Sequence, residues 1–260
     1  MSIPDGLEHL ADLRARIAAR AVATALAGLV PLPIVDDMAS EAARRSMLRL
    51  IARERKLEVT RGAIANLAVE DDAPTWRRMA SAAAIGSLLW RSLRKVVLVL
   101  TVARQGDEAA RTFQIGTLFD HYCQKIHPGG ELDATTARRL REAMTEAMDA
   151  VRRETVKKAF QHGLLAAART TTRVPLKLVM GFVRAVTGRR EEAVDAAVQA
   201  AENESFISKA ARVVSDEITT SGTEFLSALI GDFGERWSKA QDKAAAKARE
   251  QQEKPEKREK

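Results

Sequence analysis

Apolar residues recur every three or four positions through most of the chain, the spacing that lines one face of an α-helix. Leu10, Leu13, Ile17 and Ala21 form the first such face. Asp5-Gly6-Leu7-Glu8 ahead of it has the spacing of a capping box, so a first helix is expected over about 5–28. Val30-Pro31-Leu32-Pro33 ends it, because proline cannot continue the hydrogen-bond ladder. A second helix follows with Asp36, Asp37 and Glu41 near its start and Arg53, Arg55 and Lys56 near its end, the order the helix dipole favours. Thr60 caps a short helix ending by Glu70, and Pro74 opens a long one to about Ala103. Gly106-Asp107 predicts a stop and a restart. The next helix turns Phe113, Ile115 or Gly116, Phe119 and Cys123 inward and closes at His127-Pro128-Gly129-Gly130. Asp133 caps a long helix marked by Leu140, Met144, Ala147, Met148 and Val151. It is expected to continue, kinked at Gly163, to Thr170-Thr171-Thr172. Further helices are expected over about 175–187, 190–201, 207–219 and 224–230, the last behind the capping box Ser221-Gly222-Thr223-Glu224. From Trp237 a charged tail forms a solvated helix that frays before Pro255. No segment alternates with a period of two, so no strand is expected.

Composition supports the same class. Alanine supplies 46 of 260 residues and aromatics only 4%, a balance that favours closely approaching helices over sheet. The expected fold is all-α, a multi-helix bundle with a charged C-terminal helical tail. Its parts are a helical core over 5–170, a smaller helical region over 171–234 and a solvated tail over 235–260. The single cysteine excludes a disulfide framework and a Cys-rich zinc module. The first six residues lack the basic start and apolar run of a signal peptide. The longest uncharged stretches, 21–35 and 79–90, fall short of the roughly 18–20 residues that span a bilayer. Buried helices are therefore expected at both, with interfacial insertion the lesser option.

Two stretches resemble a known family. Residues 29–56, LVPLPIVDDMASEAARRSMLRLIARERK, pass from a helix through a proline turn and an acidic start into a second helix. Residues 114–133, QIGTLFDHYCQKIHPGGELD, place a glycine-bearing helix before an aromatic end and a Gly-Gly-Glu-Leu turn. Together they are similar to the YcjF-type family of bacterial membrane-associated helical domains found fused to or beside small GTPases, with a looser similarity to EcsC-like proteins. The similarity covers roughly residues 15–150. It implies a membrane location and a small GTPase as partner, and it brings no catalytic residues with it.

Catalytic motifs are scarce. The P-loop, Gly-x-Gly-x-x-Gly, Gly-x-Ser-x-Gly and His-Glu-x-x-His patterns are all absent. Asp232-Phe233-Gly234 spells a kinase triplet without its companions and is expected to be a helix end. His121, Cys123 and His127 are the one candidate metal constellation. On a helix, Cys123 and His127 share a face while His121 points elsewhere, and two ligands fall short of a structural zinc site. A buried cysteine beside a helix-terminal histidine is the expected arrangement, with His9 and His162 isolated. Asp36-Asp37 and Asp71-Asp72 are expected to serve helix ends rather than acid–base chemistry. No cofactor, metal or catalytic residue is assigned, and a non-enzyme is favoured.

Charge is more informative. The net +7 hides a basic block, 138–190, with a net charge of +9, and an acidic segment, 191–234, with a net charge of −7. The block contains Arg138, Arg139, Arg141, Arg152, Arg153, Lys157, Lys158, Arg169, Arg173, Lys177, Arg184, Arg189 and Arg190. Within it Leu176, Val179, Met180, Val183 and Val186 follow one helical face, with Lys177 and Arg184 off it. A basic amphipathic helix suits an anionic membrane surface, where each nearby cation adds about 1 kcal/mol. Covering the bundle is the competing role for that helix. The acidic segment is placed in sequence to neutralise or gate the block. The leading expectation is a non-enzymatic peripheral membrane adaptor in a bacterial cytoplasm, with Lys177, Arg184, Leu176, Val179, Met180 and Val183 at the membrane. Arg152, Arg153, Lys157, Lys158, Arg169, Arg173, Arg189 and Arg190 complete its basic patch. Nucleic acid is the alternative partner for the same block, without any recognisable base-reading motif.

Overall fold

The computed structural model describes residues 7–27, 33–69, 94–127, 129–151, 154–170, 184–185 and 191–256. Those residues form nine α-helices: α1 Ala11–Ala27, α2 Pro33–Glu54, α3 Arg61–Ala68, α4 Arg94–His121, α5 Ala134–Ala150, α6 Glu154–Thr170, α7 Glu191–Glu202, α8 Ser205–Ser221 and α9 Thr223–Glu256. The all-α expectation holds. Leu10, Leu13, Ile17 and Ala21 are buried as their spacing requires. Thr60 Oγ1 accepts from Ala63 N at 3.0 Å, and Asp133 Oδ1 accepts from Thr135 N and Thr136 N at 2.6 and 2.9 Å, so both expected caps form.

α1 is central, packing on α4, α8, α2 and α7, while α6 is sandwiched against α8 and α4. α5 joins α3 to α9. One apolar cluster runs from Leu7 through Phe113, Phe160 and Val214 to Phe233 and Trp237. Residues of the 171–234 region and the first turns of the tail thus share a core with the helices before them. A satellite cluster of Ala43, Ala185, Val194 and Val198 seats α7 on α2.

Several expected boundaries are corrected. Residues Glu8–Leu10 form a 3-10 turn ahead of α1, and the expected cap at Asp5 lies outside the described residues. Gly106 does not stop α4; a Cβ there would lie 2.7 Å from Gln161 Cγ, so the glycine serves the approach of α6. The helix from Asp133 is not continuous. It ends where Val151 turns extended, with no Pro or Gly to mark the place, and α6 restarts at Glu154. Gly163 lies inside α6, where a Cβ would meet Val214 Cγ2 at 2.7 Å and the Ala210 carbonyl oxygen at 2.8 Å. Asp232-Phe233-Gly234 is not a helix end. It lies inside α9, which runs unbroken through both expected pieces and past Pro255. Two strands also exist, Glu58–Val59 (β1) and Glu131–Leu132 (β2), paired in parallel with Glu58 opposite Glu131. Two-residue strands are too short to show a period.

Candidate anion-binding site

A cavity lies between α2, β1 and α3. It measures about 220 Å3 and is walled by Arg45, Arg49, Arg53 and Arg61 over a floor of Ala52, Leu57, Val59, Ile64 and Ala65, with Glu191 at the rim. Local chemistry explains its shape. Arg45, Arg49 and Arg53 are four residues apart, so they stand in a row on one face of α2. The opposite face buries Met47, Leu48 and Ile51. α2 ends in a Schellman motif: Lys56 N donates to Arg53 O at 3.1 Å and Leu57 N to Ala52 O at 2.9 Å. Lys56 takes the left-handed position, φ +56°, that usually holds glycine. The motif folds Leu57 back over Ala52, and both become floor. β1 then pins the loop to β2, with Thr60 N donating to Leu132 O at 3.2 Å, and delivers Arg61 as the first residue of α3.

α7 supplies counter-ions. Asp195 accepts from Arg49 Nη2 at 2.6 Å, Arg49 Nε at 3.2 Å and Arg53 Nη2 at 2.9 Å. Burial alone would raise this carboxyl, but hydrogen bonds from Arg49, Ser46 and Arg53 outweigh it and hold it below its ordinary value. Glu191 reaches Arg49 only at 3.7 Å and is more than half exposed, and Glu41 pairs with Arg45. Among the described residues, Arg45 Nε is buried without a hydrogen-bond partner, and exposed Arg61 makes no ion pair. Cationic donors therefore remain around an apolar floor.

Some carboxylates of the acidic segment pair with α1 and α2, through Arg20–Glu202, Arg49–Asp195 and Arg53–Asp195. Others face the 138–190 block, where α8 packs on α6 and Glu217 meets His162 at 3.1 Å. Within that block Arg141 is buried in α5, Lys157 meets Asp107 at 3.6 Å, and Lys158 is exposed on α6. Arg169 lies in the last turn of α6, and Arg184 is exposed beside buried Ala185. Leu176, Lys177, Val179, Met180, Val183, Arg152, Arg153, Arg173, Arg189 and Arg190 lie outside the described residues, as do Asp71 and Asp72.

The histidines and cysteine form a second polar cluster. A π-helical turn, Tyr122–Ile126, ends α4, with His127 N donating to Tyr122 O at 2.8 Å. The turn separates the three candidate ligands. His127 engages Tyr122 Oη at 3.2 Å and Gly130 O at 3.1 Å, while His121 Nδ1 meets His9 Nε2 at 2.9 Å. No group of three metal-ligating side chains occurs among the described residues. Desolvation and the nearby Asp120 push the half-buried Cys123 thiol up, which keeps it protonated and a poor nucleophile. Burial, with His9 and Lys125 adding to it, lowers His121 to about 4. Arg55 forks to buried Asp120 at 2.6 and 3.2 Å and to Asp12 at 2.8 and 2.9 Å. Gln124 bridges Asp120 to the His9 carbonyl. This network ties the segment around His9 and Asp12 to the ends of α2 and α4.

The arginine row was visible in the sequence as Arg45, Arg49 and Arg53 at four-residue spacing, yet attention to net charge by segment passes over it, because residues 1–137 are nearly neutral. No protein-family model, curated protein or solved structure matches the chain.

Proposed function

We propose that the protein is a non-enzymatic helical adaptor that attaches peripherally to an anionic membrane surface, at the cytoplasmic face of a bacterial membrane. The carrying observation is the α2–α3 cavity, where four arginines surround an apolar floor. That pairing of guanidinium donors with adjoining hydrocarbon is what the boundary between headgroups and acyl chains rewards. Two features of the sequence point the same way: the basic amphipathic stretch 174–187, and the similarity of residues 29–56 and 114–133 to membrane-associated domains. The same similarity makes a small GTPase the first protein partner to test. No helix among the described residues is long and apolar enough to cross a membrane, so the mode proposed is attachment and not insertion.

Co-sedimentation of the full chain with anionic and neutral vesicles at low salt tests this. Pelleting with anionic vesicles alone supports it, and no pelleting with either removes it. A gel shift with DNA or RNA at about 50 mM salt, without vesicle binding, would transfer the basic block to nucleic acid.

A further inference from the structure

We infer that the α2–α3 cavity binds a phosphoryl head joined to a short apolar portion. In its lipid form the inference rests on the membrane reading above.

The charge argument comes first. Four guanidiniums line the cavity, and two carboxylates, Asp195 and Glu41, pair closely with them. Glu191 at the rim stands 3.7 Å from Arg49 and is more than half exposed. Four guanidiniums against three carboxylates leave the cavity net positive, which suits an anionic head.

Donor geometry agrees. Arginine has five N–H donors in a rigid fork. Asp195 occupies Nε and Nη2 of Arg49 and Nη2 of Arg53, Glu191 stands 3.7 Å from Arg49 Nη1, and Arg53 Nε and Nη1 make no hydrogen bond among the described residues. Arg61 lines the same cavity from the first turn of α3, where the helix dipole adds positive potential. Donors from α2 and from α3 thus line one cavity.

Size and floor set the rest. At about 220 Å3, the cavity is smaller than the roughly 300–1,000 Å3 that encloses a drug-sized ligand. It holds a phosphoryl head and a few carbons, with Leu57, Val59 and Ile64 against the carbons. Such a head occurs both in soluble phosphates and in a lipid of the phosphatidic acid type.

Calorimetric titration of the full chain distinguishes the sources. The probes are glycerol 3-phosphate, dihexanoyl phosphatidic acid and dihexanoyl phosphatidylcholine. Both monoesters are expected to bind, the short-chain lipid more tightly, and phosphatidylcholine not at all. Arg61→Gln removes donors from an exposed residue that makes no ion pair among the described residues, so the fold stays intact. It is expected to weaken phosphatidic acid about ten-fold, the worth of one charged hydrogen bond. Ala65→Glu, which puts a carboxylate at the floor, is expected to abolish binding. Unchanged affinity in both variants, or equal binding of phosphatidylcholine, overturns the site.

A vesicle arm separates the two proposals. Pelleting that is equal on phosphatidic acid and phosphatidylglycerol vesicles of matched charge, and insensitive to Arg61→Gln, keeps the membrane reading and rejects this site. Titration by glycerol 3-phosphate that Arg61→Gln weakens, without pelleting on any vesicle, supports the site with a soluble phosphate as its source and rejects the membrane reading.

Discussion

Lys56 occupies a left-handed position for a definite purpose: it closes the Schellman motif that folds Leu57 over the end of α2. A Cβ in that conformation costs about 1–2 kcal/mol, and glycine gives back part of the gain as extra freedom in the unfolded chain. Lys56→Gly is therefore expected to stabilise the protein by up to about 1 kcal/mol in chemical denaturation; a loss of stability would show that the lysine side chain holds the turn. His121 carries a second prediction. Its pKa falls from 6.5 to about 4 because it is buried beside His9. The unfolded chain then binds more protons than the folded one between those values, so stability falls as pH drops from about 6.5 towards 4. Denaturation midpoints across that range should decline in the wild type and decline less in His121→Gln. Parallel curves would assign the acid sensitivity to other groups.

At the level of elements, glycine was the least legible residue. Gly106, Gly163, Gly231 and Gly234 all look like punctuation in a sequence, and all four lie inside helices. The first two permit close helix contact, and the last two have open space around them. The distinction depends on neighbours 51 and 55 positions away, Val214 for Gly163 and Gln161 for Gly106, which no local window contains. It is directly testable. Gly163→Ala forces a Cβ onto Val214 and the Ala210 carbonyl, and is expected to destabilise by about 1–3 kcal/mol. Gly231→Ala removes backbone freedom in an exposed turn and is expected to stabilise by about 0.5–1 kcal/mol. Equal effects, read from thermal unfolding, would refute the packing role. Caps were the opposite case. Thr60 and Asp133 announce their helices because the bonds they make are two or three residues away. The break at Val151 and the two-residue strands have no comparable local signal.

Among the described residues of the whole molecule, folding brings distant charges together: Asp195 of α7 lies 142 and 146 positions from Arg53 and Arg49 and pairs with both. Spacing alone could reveal the arginine row on α2. It could not reveal which of those arginines keep free donors, since that depends on where Asp195 lands. The outcome is a surface whose cations are partly paired at α7 and partly unspent at Arg61 and Lys158. Attachment to an anionic membrane is the proposal that uses those unspent charges, and vesicle co-sedimentation tests it most directly. The full chain is spun with phosphatidylglycerol-containing and with pure phosphatidylcholine vesicles at low and high salt, beside a Lys177→Glu/Arg184→Glu variant. The account predicts that the wild type pellets only with the anionic vesicles, that salt releases it, and that the charge-reversed variant pellets less. Wild-type protein left in the supernatant with anionic vesicles at low salt would contradict it.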